Sequence, residues 1–193
     1  MLFRSVDFSI LLVRNVDEVV VFAPGKGNDV AELDDLSAHT VYVRRSSSYF
    51  EHLSELNQDL TSRGLEPVRI DEANELLRSQ DILDMVNAGL VSATVIDSNK
   101  ASYWSEIFTN LNVREDLVIH AGGEIAWVFR KKSPQLAEAI NRFAREHREG
   151  TLIGNVLIKR YMENLSWVRN STSDAGIERL RDRKSARLNS SHS

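Results

Sequence analysis

The chain has 193 residues, 42% of them hydrophobic and 27% charged, with a net charge of -4. That composition fits a globular protein of one domain or two small lobes, and the acidic balance supplies no bulk basic field for nucleic acid. The sequence has no cysteine, which excludes disulfides and thiolate metal sites, and no apolar run reaches the length of a membrane-spanning helix.

In chain order, the N-terminal MLFRSVDFSILLVRNVDEVV starts apolar but is interrupted by Arg4, Asp7, Arg14 and Asp17, which argues against a signal peptide. Glu18–Ala23 reads as a buried strand because its apolar run is nearly continuous. Pro24-Gly25-Lys26-Gly27-Asn28 ends it as a turn; the Gly-x-Gly lacks the third glycine and following helix of a nucleotide loop. Thr40–Leu53 is the central stretch. Val41 and Val43 alternate with Tyr42 and Arg44 as in a strand, and Ser46, Ser47 and Ser48 are good N-cap residues. Tyr49, Phe50, Leu53, Leu56 and Leu60 then recur at helical spacing. A serine-capped helix after a strand gathers hydroxyls and free N–H groups at a positive dipole end. Two readings stand: a capped helix, the commoner case, or an anion site. Helix Tyr49–Ser62 ends at Gly64. A strand over Pro67–Ile70, a helix over Glu72–Asn87, a strand over Ala93–Ile96 closed by Asp97, and a helix over Lys100–Phe108 follow. Leu117–His120 and Ile125–Phe129 are expected strands around Ala121-Gly122-Gly123. Ser133-Pro134 opens a helix over Gln135–Glu149, and Thr151–Met162 is the last. Trp167-Val168 is a closing contact. From Asn170 large apolar residues thin out, as in a linker. Asp182–Ser193 resembles a translated sequencing adapter and is expected to be an assembly scar.

Strand–helix alternation predicts an α/β fold with a largely parallel sheet. Residues 25–120 are expected to form one lobe, and 1–24 with 121–169 part of another, with 170–181 as linker. Ligands of such folds bind where strand carboxyl ends meet the interlobe cleft. Ser46–Ser48 and Asp97 each follow a strand, so they are placed at one pocket: serine hydroxyls and helix N–H groups for a carboxylate, Asp97 for an ammonium. Alone, Asp97 reads equally as a turn residue. His39, His52, His120, His147 and His192 lack metal-ligand spacing and read as surface or core histidines. Asp81, Asp84, Glu72 and Glu75 read as a solvated helix face, and Trp104 and Trp127 as core. No nucleophile–base pair or metal set points to an enzyme or a cofactor.

Val6–Ser9, VYVRRSSSYFEHL, DILDMVNAGL (Asp81–Leu90), TVID (Thr94–Asp97), GGEIAWVFRKKSPQL (Gly122–Leu136) and GTLIGNVLIKRYMENLSWV (Gly150–Val168) resemble the type 2 periplasmic substrate-binding domain of membrane-bound lytic transglycosylase F-like proteins. The resemblance covers about residues 4–180. It implies a two-lobed periplasmic binding protein type 2 fold with the first lobe N-terminally truncated. The implied role is binding of an amino acid or muropeptide-like ligand, without catalysis in this chain. In that family the module regulates a lysozyme-like catalytic domain that cleaves peptidoglycan, in a periplasmic, outer-membrane-associated parent. Relatives of the fold serve as receptors of amino-acid ABC transporters. Tyr49 and Ser9 join Ser46, Ser47, Ser48 and Asp97 as expected ligand contacts. Two departures are plain. The family's signal sequence, early strands and carboxylate-binding arginine precede Val6, with Arg4 only near that place. Ile10 stands where a proline often follows the Val6–Ser9 block.

Overall fold

A computed structural model describes residues 5–160. Val6–Phe8 (β1) pairs antiparallel with Val128–Arg130 (β7). Val13–Phe22 (β2) is the middle strand of a second sheet, between Ala93–Asp97 (β5) and Asn112–Ile125 (β6), antiparallel to both. Thr40–Arg44 (β3) pairs parallel with Arg69–Ala73 (β4). β3 lies beside β5, where the Thr94 hydroxyl donates to the Tyr42 carbonyl at 2.8 Å. The expected largely parallel sheet is therefore a mixed one. β2 is long and central, and it meets both neighbours head to tail, which strand–helix alternation alone does not reveal.

β2 explains the core. Val20 and Phe22 face one way, into a cluster with Leu36, Val41, Val43, Leu53 and Leu60. Val19 and Val21 face the other way, against Leu83, Val86, Ile96 and Ala101. Period-two alternation with both faces covered is why the strand reads as an unbroken apolar run. The first face is covered by Ser48–Ser62 (α1), which buries Tyr49, Leu53 and Leu60. The second is covered by Ser79–Asn87 (α2) and Ser98–Ser105 (α3). A 3-10 helix, Leu33–Ala38, precedes β3.

Helix ends follow local chemistry. Ser47 caps α1, its hydroxyl accepting from Phe50 N. At the other end Gly64, at φ +77°, lets Leu65 N donate to the Leu60 carbonyl and Gly64 N to that of Thr61, the paired bonds of a Schellman stop. The expected helix Glu72–Asn87 is shorter. β4 runs through Ala73, and Asn74 then makes a turn, its Oδ1 accepting from Leu76 N at 2.9 Å. α2 starts only where Asp81 reaches back to Arg78 N. Leu76, expected on an apolar helix face, is 89% exposed.

Ala121-Gly122-Gly123 does not break the chain. β6 passes through it with register shifts against β2, so the expected lobe boundary at residue 120 falls inside one strand. A Cβ at Gly123 would lie 2.6 Å from the Val16 carbonyl oxygen, so the glycine permits close strand approach. Pro134–His147 (α4) packs on the β1–β2 segment, with Ile10 N donating to Asn141 Oδ1 at 2.8 Å. Trp127, expected in the core, is 43% exposed and stacks on Phe143, whereas Trp104 packs against the second core cluster. Residues 1–155 form one compact unit, and Leu152–Ile158 (α5) is the last described helix. Trp167-Val168, the linker and the adapter-like end lie outside the described residues.

Candidate functional site

The site is built where β2 leaves the apolar core. Glu18 continues the Val20–Phe22 face of the strand and is only 6% exposed. In register it stands opposite Asp97 on β5 and His120 on β6. Asp97, Glu18 and His120 therefore form a row across three strands, with neighbouring Cβ atoms about 5 Å apart. The first turn of α1 covers that row. Ser48 Oγ donates to Glu18 Oε1 at 2.7 Å, and His52 Nδ1 lies 2.7 Å from Glu18 Oε2. The Tyr49 hydroxyl donates to Asp97 Oδ1 at 2.9 Å. Positions 48, 49 and 52 share one helix face because three- and four-residue steps return to it.

The row continues outward. Lys100 Nζ is 2.7 Å from Asp97 Oδ2. Ser98 Oγ accepts from Asp17 N, and Asp17 Oδ1 accepts from Gly122 N at 2.8 Å. His52 and His120 stack with centroids 3.9 Å apart and planes 3° from parallel. Burial, then the neighbouring Asp97 charge, push the Tyr49 hydroxyl pKa well above the ordinary tyrosine value. Tyr49 therefore stays a neutral donor to Asp97 at physiological pH.

Of the six residues expected at the site, the structure gathers Ser48, Tyr49 and Asp97 around Glu18. The other three have different partners. Ser46 turns to Glu75, giving both its N–H and its hydroxyl to that carboxylate. These bonds, the hydroxyl's first, hold the Glu75 carboxyl below its usual range. Ser47 spends its hydroxyl within the turn, donating to the Arg44 carbonyl at 2.6 Å. Ser9 is buried beside β7, donating to the Ile10 carbonyl and accepting from Trp127 N at 3.0 Å.

Sequence reasoning missed Glu18, His52 and His120. Glu18 had one visible signal: a lone carboxylate at the head of an apolar strand, in phase with the buried Val20 and Phe22. The histidines had none, because 68 residues of chain separate two rings that meet only through strand register. No group of three or more His, Asp and Glu side chains able to hold a metal ion occurs among the described residues.

No protein-family model and no curated protein matches the sequence. Solved structures do. The chain is similar to the substrate-binding protein of an amino acid ABC transporter, with TM-score 0.63, 18% identity, and coverage of 83% of this chain and 65% of that one. It is similar to the GluR0 ligand-binding core in complex with L-glutamate, with TM-score 0.61, 15% identity, and coverage of 83% and 66%. It is also similar to an ancestral arginine-binding protein bound to arginine, with TM-score 0.62, 19% identity, and coverage of 81% and 64%. The fold is thus the α/β fold of type 2 periplasmic binding proteins. The chain spans less than two thirds of each neighbour's length. These neighbours are ligand-binding proteins, and they do not carry the link to lytic transglycosylase F.

Proposed function

We propose that this chain is the binding module of an extracytoplasmic solute receptor that takes an amino-acid-like zwitterion and performs no catalysis. The observation that carries this reading is the placement of Asp97. Its carboxylate closes a strand end and faces the first turn of α1, whose leading N–H groups have no intrahelical acceptor. A carboxylate for an ammonium and helix N–H groups for a carboxylate then lie at one point, the two ends of an amino acid. In this reading residues 25–120 form one lobe and 1–24 with 121–169 contribute to the other. The amino-acid-binding neighbours favour a transporter receptor in the periplasm. No described helix is long and apolar enough to cross a membrane.

A second reading, a regulatory module beside a lysozyme-like domain of a peptidoglycan lytic transglycosylase, rests on the sequence blocks Asp81–Leu90, Gly122–Leu136 and Gly150–Val168. It shares the same pocket but takes a muropeptide and belongs to an outer-membrane-associated parent. Calorimetric titration of L-amino acids and of muropeptides into the chain separates the two. Amino-acid heat that is lost in Asp97→Ala supports the receptor, muropeptide heat alone supports the module, and amino-acid affinity unchanged by Asp97→Ala sinks the pocket.

A further inference from the structure

Glu18 is the only charged residue among the described ones that the fold buries this deeply. A strand that needed only a core would place an apolar side chain there, in line with Val20 and Phe22. Burying a carboxylate is costly unless its oxygens are satisfied. Both of them are, by Ser48 and His52, and the His120 ring stacked on His52 fixes the plane of that imidazole.

The consequence lies at Ser48, which is exposed. A hydroxyl has one hydrogen and two lone pairs. Its hydrogen is committed to Glu18, so Ser48 presents lone pairs outward. The hydroxyl hydrogens of Ser46 and Ser47 are committed too, to Glu75 and to the Arg44 carbonyl. The serines are therefore polarised against a carboxylate and toward an N–H donor. Recognition of a ligand carboxylate falls to the backbone N–H groups of the first turn. Glu18 and Asp97 also face each other across β2 and β5, and like charges directly opposite are unfavourable. A cation bound beside them offsets that.

Resting on the amino-acid reading above, we propose that Glu18 is a positioning residue: by holding the Ser48 hydroxyl hydrogen it makes Ser48 an acceptor for the ligand's primary ammonium group, and so sets the site's preference for amino acids over their des-amino analogues. Glu18 acts through Ser48 and does not itself touch the ligand. An amide at position 18 would donate to Ser48 and turn its hydrogen outward.

The test is calorimetry on the full chain with two ligand pairs, L-glutamate with glutarate and L-arginine with 5-guanidinopentanoate. Each pair differs only in the α-ammonium group. The parent binds the amino acid more tightly than its partner. Glu18→Gln lowers that ratio about tenfold, as expected for a lost charge-assisted hydrogen bond. Ser48→Ala, at an exposed position that folding tolerates, lowers it similarly, and the double variant is no worse than either single one, because the two act as one unit. A purely structural Glu18 would weaken both members of a pair equally, or would add its effect to that of Ser48→Ala; either result overturns the assignment while leaving the amino-acid reading in place. Silence of both amino acids with the parent overturns that reading, and this assignment with it.

Discussion

Two regions of the molecule carry apolar side chains at similar spacing and treat them differently. Around β2, both faces of the strand are covered, and Phe22, Leu36, Leu53, Leu60 and Leu83 are fully buried. Around the β1–β7 pair and α4, Phe8, Trp127, Val128, Leu136 and Phe143 are 43–57% exposed, and only Phe129 and Ala144 are buried. Amphipathic pattern therefore states which side chains seek cover, and only tertiary structure states whether cover is present. The polar row Asp97–Glu18–His120 belongs to the first region. It is held at one end of a rigid core, as a site with fixed geometry requires.

The largest expected effect tests that contrast directly. Leu53→Ala empties a fully buried position between α1 and β2 and is expected to cost about 3 kcal/mol or more. Phe143→Ala, at a half-exposed ring touching Trp127 and His147, is expected to cost about 1 kcal/mol or less. Urea denaturation of the two variants gives the comparison, and equal losses would mean that the α4 face is as well packed as the core.

Next come two glycines of one turn. Gly25 and Gly27 both have positive φ, +72° and +74°. A Cβ at Gly25 meets nothing, whereas one at Gly27 would lie 2.4 Å from the Phe22 ring, which is fully buried and has nowhere to move. Gly25→Ala is expected to cost about 1 kcal/mol of backbone strain, and Gly27→Ala that strain plus about 1–3 kcal/mol of overpacking. Thermal melts that fall equally would show that the turn, and not the ring beneath it, sets the requirement. The sequence showed Gly-x-Gly here as a turn, and the structure adds why the second glycine is the stricter one.

How much was legible follows the same division. Glu18–Ala23, Thr40–Leu53 and the Ser133-Pro134 helix start were readable because short-range periodicity and caps decide them. Glu72–Asn87 was misread because Glu72 and Ala73 pair with β3 and Asn74 turns the chain, so a good helix former lost to sheet register. The mixed sheet and the continuity of β6 through Gly122-Gly123 were hidden, since strand direction is a long-range property. At the site, Asp97 and the serine turn were found, and only Ser48 of the three serines joins the buried row. The allocation of each hydroxyl depends on Glu75, Arg44 and Glu18, which come together only in the fold.

Tyr49 sharpens the comparison from within the site. Tyr49→Phe removes the donor to Asp97 and is expected to cost about 1 kcal/mol at neutral pH. Its sign with pH is definite. The folded state holds the Tyr49 proton above the ordinary tyrosine pKa, so above about pH 10 the unfolded chain loses that proton first. The stability from this group is complete below pH 10 and is lost as pH rises beyond it. The parent should therefore lose more stability than Tyr49→Phe between neutral pH and pH 11. Parallel alkaline losses in the two proteins would place the hydroxyl in water.

The smallest effect belongs to Glu75, exposed at the same helix start. Its carboxyl is held below the usual range chiefly by the Ser46 hydroxyl, then by the Ser46 N–H. The folded state thus favours the ionised form. The stability it contributes is present above the unfolded carboxyl pKa, near 4.5, and is lost as pH falls through the lower folded value. Glu75→Gln keeps an acceptor for Ser46 but has no proton to gain, so its melting temperature should fall less than the parent's between pH 5 and pH 3. Asp35, held low by the Ala31 and Glu32 N–H groups, contributes in the same direction in both proteins and cancels from the difference. The exposed carboxylate makes that difference small, whereas Ser46→Ala should reproduce it, because the serine is the cause of the shift. A Ser46→Ala variant with the parent's acid profile would show that Ser46 and Glu75 are not joined in solution, which would free the Ser46 hydroxyl for a ligand and return that serine to the site.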